Sequence, residues 1–153
     1  MRSSVAMATV LLVTASLGRA QSPAFHSGRL SAAVGLLTPG VRMPDAFSAS
    51  VTARMRRLDH STLFPQIDAT VSSGPGVVGN MVVTGDLVFR YRVGALSTYV
   101  LGGVGMMASY HRSILTGGVG SEFSWRARQL FAEFRAYGPS LYDMNGFRIG
   151  VRF

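Results

Sequence analysis

The feature that most constrains the fold of this chain is a two-residue alternation of apolar and polar side chains, repeated eight times after residue 27. The alternating stretches are 28–38, 46–55, 63–72, 81–92, 96–110, 115–125, 129–137 and 145–153. This period places apolar side chains on one face of a β-strand and polar ones on the other. Strands of globular proteins have a mode of about 5–6 residues, whereas tilted strands that cross a bilayer need about 9–11. The length of these stretches therefore favours a membrane-spanning sheet.

The two faces of these strands differ sharply in charge. The apolar faces carry no charged residue, and the opposite faces carry all the charges of the strands, namely Arg29, Arg54, Asp68, Asp86, Arg90, Arg92, Glu122, Glu133, Arg135, Arg148 and Arg152. An Arg that faces lipid at the bilayer midplane of a barrel costs about 2–4 kcal/mol, so the charged faces must point inward.

An inward charged face predicts a specific architecture. Eight strands enclose an interior just wide enough to be filled by side chains. We therefore expect an all-β fold, an eight-stranded antiparallel up-and-down transmembrane β-barrel with a filled polar interior and no open pore. Its interior should hold a network of ion pairs, formed by Arg54, Asp68, Asp86, Arg90, Glu122, Glu133, Arg135 and Arg148.

The first twenty residues have the layout of a secretory signal peptide. Arg2 precedes an apolar stretch at 5–17, which is too short to span a bilayer as a helix, and small residues precede Gln21. We predict a signal peptide at 1–20 and a barrel domain at 21–153, with export to the outer membrane. The alternative interpretation of the same stretch is an N-terminal membrane anchor.

The connections between the strands also alternate in character. Those at 56–61, 93–95 and 126–128 are tight and basic, whereas 39–45, 73–80 and 138–144 are longer and rich in Gly and Pro, and 111–114 is short. Short turns at one end and longer loops at the other are typical of outer-membrane barrels. Aromatic residues fall near both ends, where amphipathic rings favour the membrane interface; they are Phe47, Tyr91, Tyr110, Trp125, Phe147 and Phe153.

Composition argues against several other classes of function. The absence of Cys excludes disulfides and thiolate-bound metal, and the three His residues lie far apart without metal-ligand spacing. The formal charge of +8 comes from Arg alone, but these residues are scattered and form no run longer than Arg56-Arg57. Nucleic acid is therefore not an expected partner. The glycines at 102–105 are not followed by the Lys-Ser/Thr of a phosphate loop, so we expect no cofactor.

Four segments together resemble a known family. They are YVLGGVGMMASYH (99–111), GGVGSEFSW (117–125), LFAEFRAY (130–137) and the terminal GFRIGVRF (146–153). With the signal peptide and the eight strands, they are similar to small outer-membrane barrels of the OmpA/OmpX type. The resemblance implies that the barrel-assembly machinery recognises the last strand as an insertion signal. Phe147, Ile149, Val151 and the terminal Phe153 would form this signal, although the Gly that the family often has five residues before the end is Arg148 here.

The resemblance also implies partners. They are outer-membrane lipids and lipopolysaccharide in the mature state, the assembly machinery during insertion, and no second subunit. We expect a structural or interaction protein rather than an enzyme.

One weak catalytic candidate stands beside this interpretation. His111 and Ser113 are two residues apart, as in the His-x-Ser of outer-membrane lipid A deacylases, and Glu122 follows on the same predicted hairpin. A nucleophilic Ser needs a base within reach and a group that orients that base. The flanking Asn and Pro residues of that family are absent here. A lipid A-modifying hydrolase is therefore an alternative function, and a secreted lipocalin-like binder of apolar ligands is another.

Overall fold

A computed structural model describes residues 29–39, 45–56, 58, 62–74, 77–93, 96–108, 111–138 and 144–153. The predicted signal peptide at 1–20, and residues 21–28 of the predicted barrel domain, lie outside these ranges. Eight strands make up almost all of this part of the chain: β1 Arg29–Pro39, β2 Ala46–Arg54, β3 Leu63–Gly74, β4 Val77–Val93, β5 Leu96–Met107, β6 Arg112–Trp125, β7 Arg128–Gly138 and β8 Met144–Arg152. Among the described residues, no helix is long and apolar enough to cross a membrane.

The strands close into a barrel in chain order. Each strand pairs antiparallel with its neighbour along the chain, and β8 pairs antiparallel with β1, with Val34 opposite Ile149. The backbone N–H of Phe153 donates to the carbonyl oxygen of Leu30 at 2.8 Å across this seam. Closure leaves no sheet edge without a partner, which is the condition for a sheet to exist in hydrocarbon. The predicted up-and-down barrel is confirmed.

The loop lengths differ from the sequence prediction. The predicted connection 73–80 shrinks to residues 75–76, because Gly74 still pairs with Val77. Strand β6 already begins at Arg112, inside the predicted connection 111–114, whereas the connection between β2 and β3 spans eight residues, 55–62, at the end where tight turns were expected. Gly and Pro mark where a chain can turn, but pairing continues as long as the backbone groups of two strands still face each other.

The outer surface of the barrel is an apolar belt. Large hydrophobic side chains project outward from every strand, including Val34, Phe47, Ile67, Phe89, Val104, Val119, Phe134 and Ile149, and all of these are exposed. The face assignment from the sequence is thereby confirmed. Monomeric soluble proteins rarely expose contiguous apolar patches larger than a few hundred Å², so a belt around the whole barrel suits lipid rather than water.

The interior is filled and layered. A cluster of buried apolar side chains, Leu37, Val82, Ile114, Tyr137 and Met144, lies towards one end of the barrel, which we call the loop end because it carries the connections 40–45 and 139–143. A second cluster, Val88, Tyr99 and Leu101, lies towards the other end, which we call the basal end because it carries the two-residue connections 94–95 and 126–127. The charged residues lie between these two apolar clusters and on the basal side of the second one.

Candidate functional site: the buried charge network

The central part of the interior holds three carboxylates and two guanidinium groups, which we call the central cluster: Asp68, Asp86, Glu133, Arg135 and Arg148. Arg148 spans the lumen from β8, with Nη1 at 2.7 Å from Asp68 Oδ2 on β3 and Nη2 at 2.7 Å from Glu133 Oε1 on β7. Arg135 Nη1 lies 3.0 Å from Asp86 Oδ2 on β4, and its Nε contacts Glu133 Oε1. The ion pairs thus tie opposite walls of the barrel together.

A second group lies nearer the basal end, and we call it the Glu122 cluster: Arg54, Arg90, Glu122 and Arg152. Arg54 Nη1 lies 2.9 Å from Glu122 Oε1, and Arg90 Nη2 lies 2.7 Å from Glu122 Oε2. Arg152 Nη1 contacts Oε1 of the same carboxylate. One carboxylate therefore meets three guanidinium groups, and this cluster carries excess positive charge.

Neutral polar side chains connect and complete the two clusters. Gln66 joins them, because its Oε1 accepts from Arg54 Nε at 3.2 Å and its Nε2 donates to Asp86 Oδ2 at 3.3 Å. The hydroxyl groups of Thr52 and Thr70 donate to the Asp68 carboxylate at 2.6 and 2.8 Å. Buried charges are tolerated when hydrogen bonds satisfy their remaining lone pairs and protons, and these residues provide such bonds.

Two aromatic rings fill the space that interior glycines leave. The ring of Tyr99 lies over Gly120, and its hydroxyl donates to Glu133 Oε2 at 2.6 Å. The ring of Phe131 lies over Gly150 in the same way. Arg54 stacks on Tyr99 at 5.2 Å from the ring centroid, and Arg152 stacks on Phe131 at 5.1 Å. Each pairing of a ring with a glycine therefore also positions a guanidinium of the Glu122 cluster.

The eight residues named from the sequence as an interior network all lie in these two clusters, and seven are nearly inaccessible, whereas the side chain of Arg90 is 25% exposed. Sequence reasoning left out Arg152 of the Glu122 cluster and also Tyr99, whose hydroxyl donates to Glu133 of the central cluster. Arg152 shares the inward parity of Arg148, which was a sufficient signal to include it. The outward parity of Val100 places Tyr99 inward as well, but nothing in the sequence shows that its ring covers Gly120 on the neighbouring strand.

The weak catalytic candidate is not assembled. Ser113 is exposed on β6 opposite Met106. Glu122 lies on the same strand but points into the barrel interior, where its carboxylate contacts three guanidinium groups. Ser113 and Glu122 are nine positions apart on β6, which corresponds to about 30 Å along the strand. His111 is exposed in the turn before β6, with a positive φ of 50°. Glu122 cannot orient a His111–Ser113 pair in this geometry.

The proposed assembly signal lies on the outer surface of β8. Phe147, Ile149 and Phe153 are exposed and Val151 is half-buried, so the four side chains form one outward stripe beside the closing seam. Arg128 stacks on the Phe153 ring at 5.4 Å from its centroid. No group of three or more His, Cys, Asp or Glu that could hold a metal ion occurs in the described ranges.

Comparison of the sequence with known proteins gives a partial match and no family. No protein-family model matches the chain. A stretch of 100 residues is 31% identical to nodulation protein NolF of Rhizobium meliloti (strain 1021), which is 64% of this chain but only 27% of the length of NolF.

Three solved structures are similar at the level of the fold. The N-terminal β-barrel domain of Pseudomonas aeruginosa OprF has a TM-score of 0.57 and 13% identity, over 83% of this chain and 98% of that chain. The outer membrane enzyme PagL has a TM-score of 0.54 and 10% identity, over 82% and 98% of the two chains. Neisserial surface protein A has a TM-score of 0.51 and 11% identity, over 82% and 92%.

Fold and surface together define the class. The protein is a small eight-stranded β-barrel of the outer-membrane type. Its outer-membrane localisation is consistent with the apolar belt, which needs lipid around it, and with the fold of these three proteins.

Proposed function

We propose that the protein acts as a structural or interaction protein of the outer membrane, without a pore and without catalysis. The observation that carries the proposal is the filled interior, where ion pairs between Arg148 and Asp68 and between Arg135 and Asp86 span the lumen with almost no exposed side-chain surface. A pore would require a water-filled path along the axis, and these side chains occupy it. The surface left for a partner is then the loops and the belt.

The proposed partners follow from the environment of such a barrel. Outer-membrane lipids and lipopolysaccharide would surround the belt, and the barrel-assembly machinery would read the stripe of Phe147, Ile149, Val151 and Phe153 during insertion. We further propose that the barrel is a monomer, because closure satisfies its strand edges without a second copy.

Ion conductance tests the filled interior. Purified barrel reconstituted into a planar lipid bilayer should give no discrete conductance steps, and liposomes that contain it should not swell in small sugars. The same samples, run unboiled and boiled on a denaturing gel, should differ in migration, which shows that a closed barrel was present. Discrete conductance from a heat-shifted sample would contradict the proposal.

The absence of catalysis needs a separate test. Hydrolysis of lipid A acyl chains is the activity to measure, because His111 and Ser113 resemble the His-x-Ser of outer-membrane lipid A deacylases and because an outer membrane enzyme, PagL, has a similar fold. Wild-type protein and Ser113→Ala should leave the same acyl pattern in lipid A extracted from the host. A chain that is lost with wild type and retained with Ser113→Ala would establish the hydrolase instead.

A further inference from the structure

An apolar groove of about 600 Å³ crosses the outer surface of the barrel from β4 to β8, within the apolar belt. Its walls are large outward side chains: Phe89, Tyr91, Val100, Val119, Phe134 and Phe147. Its floor is lower because three smaller side chains are direct neighbours in the register of β5, β6 and β7: Thr98, Ser121 and Ala132. Pockets that hold small molecules measure about 300–1,000 Å³. The groove is therefore large enough to hold one hydrocarbon chain.

The polar groups along this groove are satisfied within the protein. The Thr98 hydroxyl donates to the Tyr91 carbonyl oxygen at 3.4 Å. Glu133 also lines the groove, but its carboxylate points into the barrel, where it belongs to the central cluster. The groove therefore offers an apolar surface, and it is continuous with the belt that faces lipid.

The groove begins near the basal rim and rises towards the middle of the barrel. Tyr91 and Thr98 lie two positions from the basal ends of β4 and β5, which are Val93 and Leu96, whereas Ala132 lies four positions from the basal end of β7. A lipid chain that enters from the basal membrane surface can therefore lie along the groove.

Two guanidinium groups lie at the basal rim of the strands that form the floor. Arg126 stacks on the ring of Trp125 at 5.2 Å from its centroid, and Arg128 stacks on Phe153 at 5.4 Å. Both rings are exposed on the outward face of their strands, so the stacking holds the guanidinium groups at the lipid-facing side of the rim. Neither arginine takes part in the ion pairs of the described residues.

The backbone at Arg126 gives a further sign that its side chain has a role. Arg126 has a φ of 57°, in the left-handed region that Gly and Asn adopt more readily. An Arg at this position is unfavourable for the turn itself. A residue held in a sparsely populated conformation at an exposed turn is a reason to look for a ligand of its side chain.

The distance between the groove and the basic rim matches the size of a lipid. Ser121 is five positions from Arg126, which is about 16 Å along the chain, and somewhat less along the membrane normal because barrel strands are tilted. Half of a hydrocarbon core of about 30 Å is about 15 Å. A lipid with its phosphate beside Arg126 therefore reaches the groove with its acyl chain.

We propose that the groove and the basic rim together bind one anionic phospholipid from the leaflet at the basal end. One acyl chain lies along the groove, and the phosphate pairs with Arg126 and Arg128, because guanidinium groups match phosphate oxygens through paired hydrogen bonds. A zwitterionic lipid fits the groove equally well but leaves the positive rim without a net negative partner. The site rests on the proposed role as a lipid-embedded barrel, but not on the absence of a pore or of catalysis.

Native mass spectrometry of the refolded barrel tests the site. The full barrel is released from non-ionic detergent micelles that contain equal amounts of phosphatidylglycerol and phosphatidylcholine with identical acyl chains, and retained lipids are identified by mass. The wild type should retain one lipid, with phosphatidylglycerol favoured about fivefold. Arg126→Asn/Arg128→Gln should lower this preference to about twofold or less while a lipid is still retained, and Asn suits the positive φ at 126.

Matched variants separate the headgroup from the chain. Arg56→Gln/Arg112→Gln removes the same charge from exposed positions away from the 126–128 rim and should keep the preference. Ala132→Leu fills the groove and should lower the retention of both lipids about threefold or more. Ala49→Leu adds the same group at an outward position of β2 that does not line the groove, and it should leave retention unchanged.

Each outcome has a definite meaning once a heat shift on the gel shows that every variant is folded. An equal loss of preference in both arginine double variants, equal effects of the two Leu variants, or no lipid on the wild type would overturn the proposal. A dimer mass without lipid would also overturn it, because the groove would then hold a second copy. Discrete conductance in a planar bilayer would contradict the proposed function but would leave this site intact, so the two failures are distinguishable.

Discussion

At the scale of single residues, the stability of the interior depends on whether each buried charge has an oppositely charged partner, rather than on the number of charges. Among the described residues, every buried carboxylate meets at least one guanidinium, but Asp86 has an ion pair with Arg135 alone, whereas Glu122 has three. Removing one partner of a buried pair typically costs about 3–5 kcal/mol, because the remaining charge is left desolvated. The loss of stability caused by a substitution should therefore be largest where a buried carboxylate is left without a guanidinium partner.

Arg135→Gln should be severely destabilising, by about 3–5 kcal/mol, because Asp86 would lose its ion pair and Asp68 and Glu133 would share Arg148. Unfolding by urea in lipid vesicles, followed by fluorescence of Trp125, the one tryptophan of the chain, measures the loss. Adding Asp86→Asn to this variant should recover part of the stability, with a coupling energy of about 1–3 kcal/mol. Strict additivity of the two substitutions would show that the Arg135–Asp86 contact contributes nothing.

At the scale of the strand, β5 and β6 combine glycines that have different roles. Gly120 points inward, where an added Cβ would lie 2.4 Å from Cζ and 2.5 Å from the hydroxyl oxygen of Tyr99. Gly102 is exposed, and the nearest atom to a Cβ there is 3.9 Å away. Alternation in the sequence already places Gly120 on the polar face of its strand and Gly102 on the apolar face of its own, but only the register of the two strands shows that the Tyr99 ring lies over Gly120.

Gly120→Ala should destabilise the barrel by about 1–3 kcal/mol, because the Tyr99 ring must move and its hydrogen bond to Glu133 would be strained or lost. Gly102→Ala is the matched control on the neighbouring strand and should be neutral or slightly stabilising, since Gly in a strand interior costs about 0.5–1 kcal/mol relative to Ala. The midpoint of the heat-induced shift on a denaturing gel compares the two. Equal midpoints would mean that the ring of Tyr99 does not need the space at Gly120.

The lipid-facing side of the strands gives a depth-dependent prediction. Ile149 lies mid-strand between Val34 and Ala132, and Tyr91 lies near the basal rim, and both side chains are exposed. Ile149→Arg should cost about 2–4 kcal/mol, whereas Tyr91→Arg should cost about 0–1 kcal/mol, because the penalty falls towards the interface. Urea unfolding in vesicles measures both. A larger cost at Tyr91 would place the bilayer midplane elsewhere on the barrel.

An inward control at Gly150 is unsuitable for this comparison, although the sequence makes it attractive as the next residue on the polar face. A Cβ at Gly150 would lie 2.4 Å from the Ala32 carbonyl oxygen and 2.6 Å from Phe131 Cζ. Gly150→Arg should therefore impair folding for steric reasons that are unrelated to lipid.

At the scale of the whole molecule, the parts predicted from sequence are those that depend on alternation alone. All eight strands and the faces of Arg148 and Ile149 follow from period two, because each residue needs only its own strand to decide its side. Which carboxylate meets Arg148 depends instead on stagger across a closed barrel, and Asp68 is 80 positions away in the chain. The loop lengths also escaped prediction, because pairing at Gly74–Val77 continues through residues that read as a turn.

A substitution of Phe153 can separate closure of the barrel from its delivery to the membrane. Phe153 takes part in closure through its backbone, by donating to Leu30, while its exposed side chain makes a stacking contact with Arg128. Phe153→Ser should therefore leave refolding in detergent unchanged, because the backbone bond is kept. In cells, the same variant should lower the folded fraction in the outer membrane several-fold, because the proposed signal for the assembly machinery is lost.

Phe47→Ser is the control for this prediction, since Phe47 is also an exposed outward phenylalanine, but it lies on β2 away from the closing strand. It should change neither yield by more than about twofold if the effect is specific to the signal. Unboiled gels of detergent-refolded protein and of outer-membrane fractions measure the two yields separately. Equal losses in both settings would assign Phe153 a role in stability alone. A loss confined to cells and to Phe153→Ser would mean that the stripe on β8 is read before the barrel closes, and that closure itself needs only the backbone.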